Sequence, residues 1–175
     1  MGIFKDYLNR SNNNYVTEEG IYICRLEKIV RKSGLEDDTI IFVFKTDKKI
    51  VNNKLKEINL QDIILKFNFY NKNENAINFF VKVLLKIMNA LSGNITKSEK
   101  ECLSIIEKVK DIDELKSEIE NLNKKYNKYV EINIEKKEYK GKVIYAPDYT
   151  KDFIRFYGDI KVENNNIDEF DDLPF

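Results

Sequence analysis

The stretch Asp62-Ile-Ile-Leu-Lys-Phe-Asn-Phe-Tyr70 reads as a β-strand, because Ile63, Leu65, Phe67 and Phe69 alternate with Ile64, Lys66, Asn68 and Tyr70. After the polar run Asn71-Lys-Asn-Glu-Asn75 the period changes. In Ile77-Asn-Phe-Phe-Val-Lys-Val-Leu-Leu-Lys-Ile-Met-Asn-Ala-Leu91, the residues Ile77, Phe80, Val81, Leu84, Met88 and Leu91 share one helical stripe, closed by Ser92-Gly93. A period of two giving way to one of 3.6 marks a helical connection that follows a block of sheet.

Working outward, Ile21 to Lys32 forms a long strand with Tyr22, Cys24, Leu26 and Val30 on one face and Arg25, Glu27 and Arg31 on the other, and Thr39 to Thr46 a second. Ser33-Gly34 and Asp37-Asp38 supply the turn between them, and the Lys-rich stretch Lys45 to Lys56 reads as solvated loop. Beyond the first helix, Thr96 or Ser98 caps a second helix to about Lys110. Asp111 or Asp113 caps a third carrying Leu115, Ile119, Leu122 and Tyr126. Strand pattern returns at Tyr129 to Lys136, continues through Tyr139-Lys-Gly-Lys142 into Val143 to Tyr145, and ends with Phe153 to about Val162. Phe42, Phe44, Phe67 and Phe69 are assigned to the core. The organisation is an N-terminal arm over 1–19, a domain over 20–162 with a helical insertion at 76–126, and an acidic tail over 163–175.

Composition narrows the chemistry. The chain has 175 residues, with thirty Lys plus Arg balanced by thirty Asp plus Glu. Glu163 to Phe175 hold five acids and no base, which leaves +5 on residues 1–162. Histidine is absent and the two cysteines, Cys24 and Cys102, lie far apart, which argues against zinc cages, serine-type triads and imidazole bases. There is no phosphate-cradling glycine loop and no Gly-x-Ser-x-Gly elbow, and Asp37, Asp38 and Asp47 fit turn chemistry better than a Mg²⁺ site. A non-enzymatic protein without cofactor or metal is expected. No apolar run approaches the roughly 20 residues of a membrane helix, and the first residues lack an apolar signal core, so the expected location is cytoplasmic, with no membrane partner.

The most specific signal is the end, Ile167-Asp-Glu-Phe-Asp-Asp-Leu-Pro-Phe175. So many acids beside Asn164 to Asn166 cannot bury enough apolar surface to fold, so a disordered tail is expected. Leu173, Pro174 and Phe175 add an apolar hook suited to a hydrophobic pocket ringed by cations. Asp171-Asp172-Leu173-Pro174-Phe175 resembles the acidic tip of bacterial single-stranded DNA-binding proteins, which reads there as several Asp followed by Ile-Pro-Phe. The body is similar to phage-encoded single-strand-binding replication proteins, through Glu19-Gly20-Ile21-Tyr22, the central amphipathic helix, Tyr129-Val-Glu-Ile-Asn-Ile134 and Glu138-Tyr-Lys-Gly141. The lead from body to tip is short, whereas the bacterial proteins carry a long linker.

Three strands, a helical connection and two or three more strands is the element order of a five-stranded oligonucleotide-binding (OB) barrel enlarged by helices, with a generic α+β sandwich as the competitor. The resemblance implies a protein that coats single-stranded DNA in phage-type replication or recombination. It implies recruitment of replication or recombination proteins through Asp168, Glu169, Phe170, Asp171, Asp172, Leu173, Pro174 and Phe175. The alternative is a recombination mediator or replisome adaptor acting through its helices. Barrel edges and helical stripes leave self-association into a homo-oligomer open.

Single-strand binders need planar side chains to stack bases and cations to follow phosphates. If Ile154 and Phe156 point to the core, then Phe153, Arg155 and Tyr157 point outward together. The third strand offers Lys66, Asn68 and Tyr70, and the 139–145 hairpin Tyr139, Lys140, Lys142 and Tyr145. Arg25, Arg31 and Lys32 extend the lining. Ordinary core packing and solvated lysine compete with a binding role at each of these positions, and a slip of one residue would reverse each face.

Overall fold

A computed structural model describes residues 15–33, 37–70, 74–93 and 96–159 of the chain. Its elements are β1 (Gly20–Ser33), β2 (Asp37–Val51), β3 (Lys54–Tyr70), α1 (Glu74–Leu91), α2 (Thr96–Lys108), α3 (Ile112–Tyr126), β4 (Lys128–Tyr139), β5 (Lys142–Ala146) and β6 (Ile154–Asp159). Among the described residues the strands form one six-stranded antiparallel sheet, ordered β3-β2-β1-β4-β5 with β6 also on β4, and the three helices make the whole a mixed α+β protein, mostly β. The 163–175 tail and its tip, residues 168–175, lie outside the described residues, as do most of the arm and the end of the last strand.

The sheet corrects the expectation of a closed five-stranded barrel: β3 and β5 end the strand order and share no hydrogen-bonded register. The last position is split. Val130 and Ile132 of β4 pair with Cys24 and Tyr22 of β1 on one side and with Phe156 and Ile154 of β6 on the other, while Glu135 to Tyr139 pair with Ala146 to Lys142 of β5. β5 and β6 thus occupy one flank of β4 in succession, and the segment 147–153 between them leaves the sheet.

The stretch read as loop after Thr46 is also strand. β2 and β3 stay paired out to Val51↔Lys54, and Asn52 and Asn53, with φ of 53° and 64°, form the tight turn. Two left-handed residues match the right-handed twist of the flanking strands, and asparagine tolerates that region better than branched side chains do. Lys140, with φ of 51°, and Gly141, with φ of 78°, make the corresponding turn between β4 and β5.

The core lies between the sheet and the helices. β1 gives Tyr22, Cys24 and Leu26; β2 gives Ile40, Phe42 and Phe44; β3 gives Ile63 and Leu65; and β4 gives Val130, Ile132 and Ile134. Helix α1 packs on β6, β4 and β3, α3 on β1, and α2 on the other two helices. The buried face of α1 is Phe80, Val83, Leu84, Ile87, Met88, Ala90 and Leu91, a rotation from the expected stripe that leaves Ile77 exposed and Val81 half-buried. The set 80, 83, 84, 87, 88, 91 follows the i, i+3, i+4, i+7 rule, and the first turn of α1 lies outside that contact. Phe67 joins the layers, edge-on to Phe42 at 5.9 Å, Phe80 at 5.5 Å and Tyr149 at 5.2 Å.

Asp111 caps α3 as its residue type predicts: Oδ1 accepts the Glu114 N–H at 2.8 Å, and the Glu114 carboxylate accepts the Lys110 N–H at 3.1 Å. At the far end Asn127 takes a left-handed φ of 51°, its N–H donating to Asn123 O. Replacing Asp111 with alanine removes the acceptor and should lower the unfolding free energy by about 1 kcal/mol, read as a shifted urea midpoint at unchanged slope.

Candidate nucleic-acid interface

The helices pack on one face of the sheet, and the other carries most of the exposed strand side chains, although Ile23 and Val43 on it are buried. Strand alternation sends the neighbours of the core residues to that outer face, and cross-strand register aligns them: Arg25 of β1 stands opposite Lys45 of β2, and Lys45 opposite Asp62 of β3. Arg25 and Lys45 line a groove of about 320 Å³ together with Ile23, Glu27, Asp47, Leu60 and Tyr129. Beside it on β6 are Arg155 and Tyr157, both exposed. Among the described residues Arg25 makes no ion pair, whereas Lys45 meets Asp62 at 2.7 Å and Arg155 meets Glu131 at 3.9 Å. The Arg155 contact is long and its side chain is 63% exposed, so screening leaves the guanidinium available to a stronger anion.

Several expected residues fall elsewhere. Phe153 is buried at 2% exposure, which corrects its assignment to an outward trio with Arg155 and Tyr157. The physical reason is that Phe153 precedes β6 and belongs to the excursion 147–153. Its carbonyl accepts the Asn133 N–H at 2.8 Å and its ring meets Tyr149 edge-on at 4.9 Å. Arg31 is also corrected. A register shift between Leu26 and Lys28 reverses the phase of β1, so that Ile29 is buried where Val30 was expected and Arg31 turns toward the helices. Its guanidinium is held by Asp38 and by Asp113 in the first turn of α3, both at 3.3 Å.

The remaining residues divide into groups. Lys32 and Lys66 are exposed on the outer side, where Lys32 faces Thr39, and Thr39 donates to Asn68 at 2.8 Å. Tyr70 pairs with Asp37 through its backbone, and its side chain lies outside the described residues. Tyr139, 61% exposed, and Lys142 sit at the tip of the β4–β5 hairpin, with Lys140 Nζ 5.3 Å from the Tyr139 ring centroid. Tyr145 is half-buried against the core and lines a separate cleft. The structure therefore brings Arg25, Arg155 and Tyr157 toward one face, leaves the hairpin residues on a projection, and removes Phe153 and Arg31.

Tyr129 was missed, although its signal was present: with Val130, Ile132 and Ile134 inward, the preceding residue must point outward. Lys45 falls inside the expected strand Thr39 to Thr46, but its grouping with the solvated Lys-rich stretch Lys45 to Lys56 hides its place on the outer face.

Among the described residues no group of three or more His, Cys, Asp or Glu side chains converges as metal ligands do. Asp38 and Asp47 are instead ion-paired with Arg31 and Lys48. Burial pushes both the Cys24 and Cys102 thiols up, the reverse of what a thiolate nucleophile requires. No described helix is long and apolar enough to cross a membrane.

The fold and site define a mixed α+β protein with one solvent-facing sheet surface bearing arginine and tyrosine. Comparison with known proteins does not narrow this class: no family model matches the chain, and no curated protein matches it.

Proposed function

We propose that this protein binds single-stranded DNA across the outer face of its sheet, without enzymatic activity, in phage-type replication or recombination in the cytoplasm. The observation that carries the reading is the placement of Arg25 and Tyr129 in one groove beside Arg155 and Tyr157 on the adjoining strand, rings and guanidinium groups together, with Glu27 and Asp47 also in a lining to which no helix contributes. The strand order, with helices between the third and fourth strands, supports an OB-like architecture opened between β3 and β5. Tyr139, Lys140 and Lys142 extend the basic, aromatic surface along the hairpin, and Lys32 and Lys66 along the opposite end. The tip Asp168–Phe175 serves as the recruiting element for replication or recombination proteins.

The test is a titration of labelled oligo-dT by anisotropy at several salt concentrations, beside duplex DNA and RNA of equal length. Single strand should bind more tightly than duplex. If about four phosphates are neutralised, log affinity falls against log salt with a slope near −3. Absence of binding even at low ionic strength rejects the reading.

One observation favours the adaptor alternative: a groove of about 340 Å³ between α2 and α3, lined by Glu101, Ile105, Val109 and Glu118 among others, beside an exposed Leu103. An adaptor of that kind would show equal and weak affinity for oligo-dT and duplex.

A further inference from the structure

The two ends of the sheet approach each other without pairing, and the space between them is a cleft of about 360 Å³. Its walls come from Asp62, Ile63 and Ile64 of β3, Ile134 of β4, Tyr145 of β5, and Pro147 just beyond, with Tyr15 and Val16 alongside. Val16 donates its N–H to Asp62 O at 3.3 Å, which ties the chain entering β1 to the edge of β3. The lining is mostly aliphatic, with a tyrosine ring contributed by each of two separate parts of the chain. Its one carboxylate, Asp62, is neutralised by Lys45 at 2.7 Å.

We propose that this seam is a base-binding subsite, which takes one unpaired nucleobase of the strand held on the outer face. The inference rests on the single-strand reading above and adds to it a pocket outside the stacking surface. A volume near the low end of ligand pockets suits one base with its sugar, and apolar walls with two aromatic rings suit a planar, uncharged ring. A phosphate would find no cation in the lining and only the two tyrosine hydroxyls as side-chain donors among aliphatic walls, so the backbone stays outside. Two cations outside the Lys45–Asp62 ion pair stand near the cleft to meet that backbone: Lys66, two residues beyond Ile64 on the same strand face, and Lys137, whose Nζ donates to Pro147 O at 3.4 Å. The seam neighbours the outer groove, with the Lys45–Asp62 ion pair at their border: Asp62 lines one and Lys45 the other.

Two variants of the full chain test this. Tyr15 is 53% exposed, so Tyr15→Ala leaves the core intact, and it should weaken oligo-dT binding about five- to tenfold while leaving affinity for an abasic oligonucleotide of the same length unchanged. The protein contains no tryptophan, so Tyr145→Trp places a single indole reporter in the seam, and its emission should be quenched by oligo-dT and unaffected by the abasic strand. Affinity of Tyr15→Ala within about twofold of the wild type, or indole emission unmoved at saturating oligo-dT, overturns the subsite and leaves the outer-face reading standing. A wild type that ignores oligo-dT removes both. If Tyr15→Ala changes the sedimentation of the free protein but not its affinity, the seam is a contact between copies and the proposal fails.

Discussion

Phe153→Ala should be the most destabilising single change in the neighbourhood of the candidate interface, lowering the unfolding free energy by about 3–5 kcal/mol. The side chain is 2% exposed, packs edge-on to Tyr149 at 4.9 Å, and plugs the point where the chain leaves β5 and re-enters the sheet as β6. Removing the ring loses its transfer energy and leaves a cavity that the surrounding strands can only partly close. Because a domain of this size holds only roughly 5–15 kcal/mol in all, the loss should be plain in a urea or thermal melt. A surface stacking residue behaves in the opposite way, with weakened DNA binding and an unchanged melt. Stability within about 1 kcal/mol of the wild type would place the ring outside the core.

The second large effect concerns the groove itself. Tyr129→Ala should weaken oligo-dT binding by about 1–3 kcal/mol, or roughly 5- to 150-fold, if its ring stacks a base. Adding Arg25→Ala should lessen the magnitude of the salt slope by about 0.7, since one fewer phosphate is neutralised on a single strand. The two readouts separate stacking from charge, so anisotropy at three or more salt concentrations resolves them in one series. Arg25 lies on the outer face and makes no described ion pair, so its removal should leave the melt within about 0.5 kcal/mol. Both variants binding as the wild type does would move the strand off this face.

Much of the sheet and its helical connection is legible in the chain. The alternation holds through 63–68: Ile63 and Leu65 are buried and Phe67 partly so, while Ile64, Lys66 and Asn68 are exposed; the side chain of Phe69, expected in the core, lies outside the described residues. The Asp111 cap and the Leu115, Ile119, Leu122 stripe lie where their residue types require. Period and capping are local, so a single stretch of sequence contains them. The errors sit where a non-local choice intervenes. A bulge between Leu26 and Lys28 moves Arg31 from one face to the other, although nothing in Leu26-Glu-Lys28 distinguishes it from regular strand. The departure of 147–153 from the sheet turns Phe153 inward for the same kind of reason.

For the candidate site, the outward positions of Arg25, Arg155 and Tyr157 follow from strand period, and that much was readable. Their assembly into one surface was not. Tyr129 shares a groove with Arg25 only because β4 lies against β1, and Asp62 shares a cleft with Tyr145 and Tyr15 only because residues of β3, β4 and β5 come together there. The sequence by itself determined the kinds of element, most inward faces, the acidic tip and the absence of histidine, because each depends on residue type and short-range spacing. Strand order, the register shifts that reverse a face, and the open seam were decided by tertiary structure. They arise from pairing and packing among segments far apart in the chain, where one extra residue changes which side of the sheet a side chain occupies.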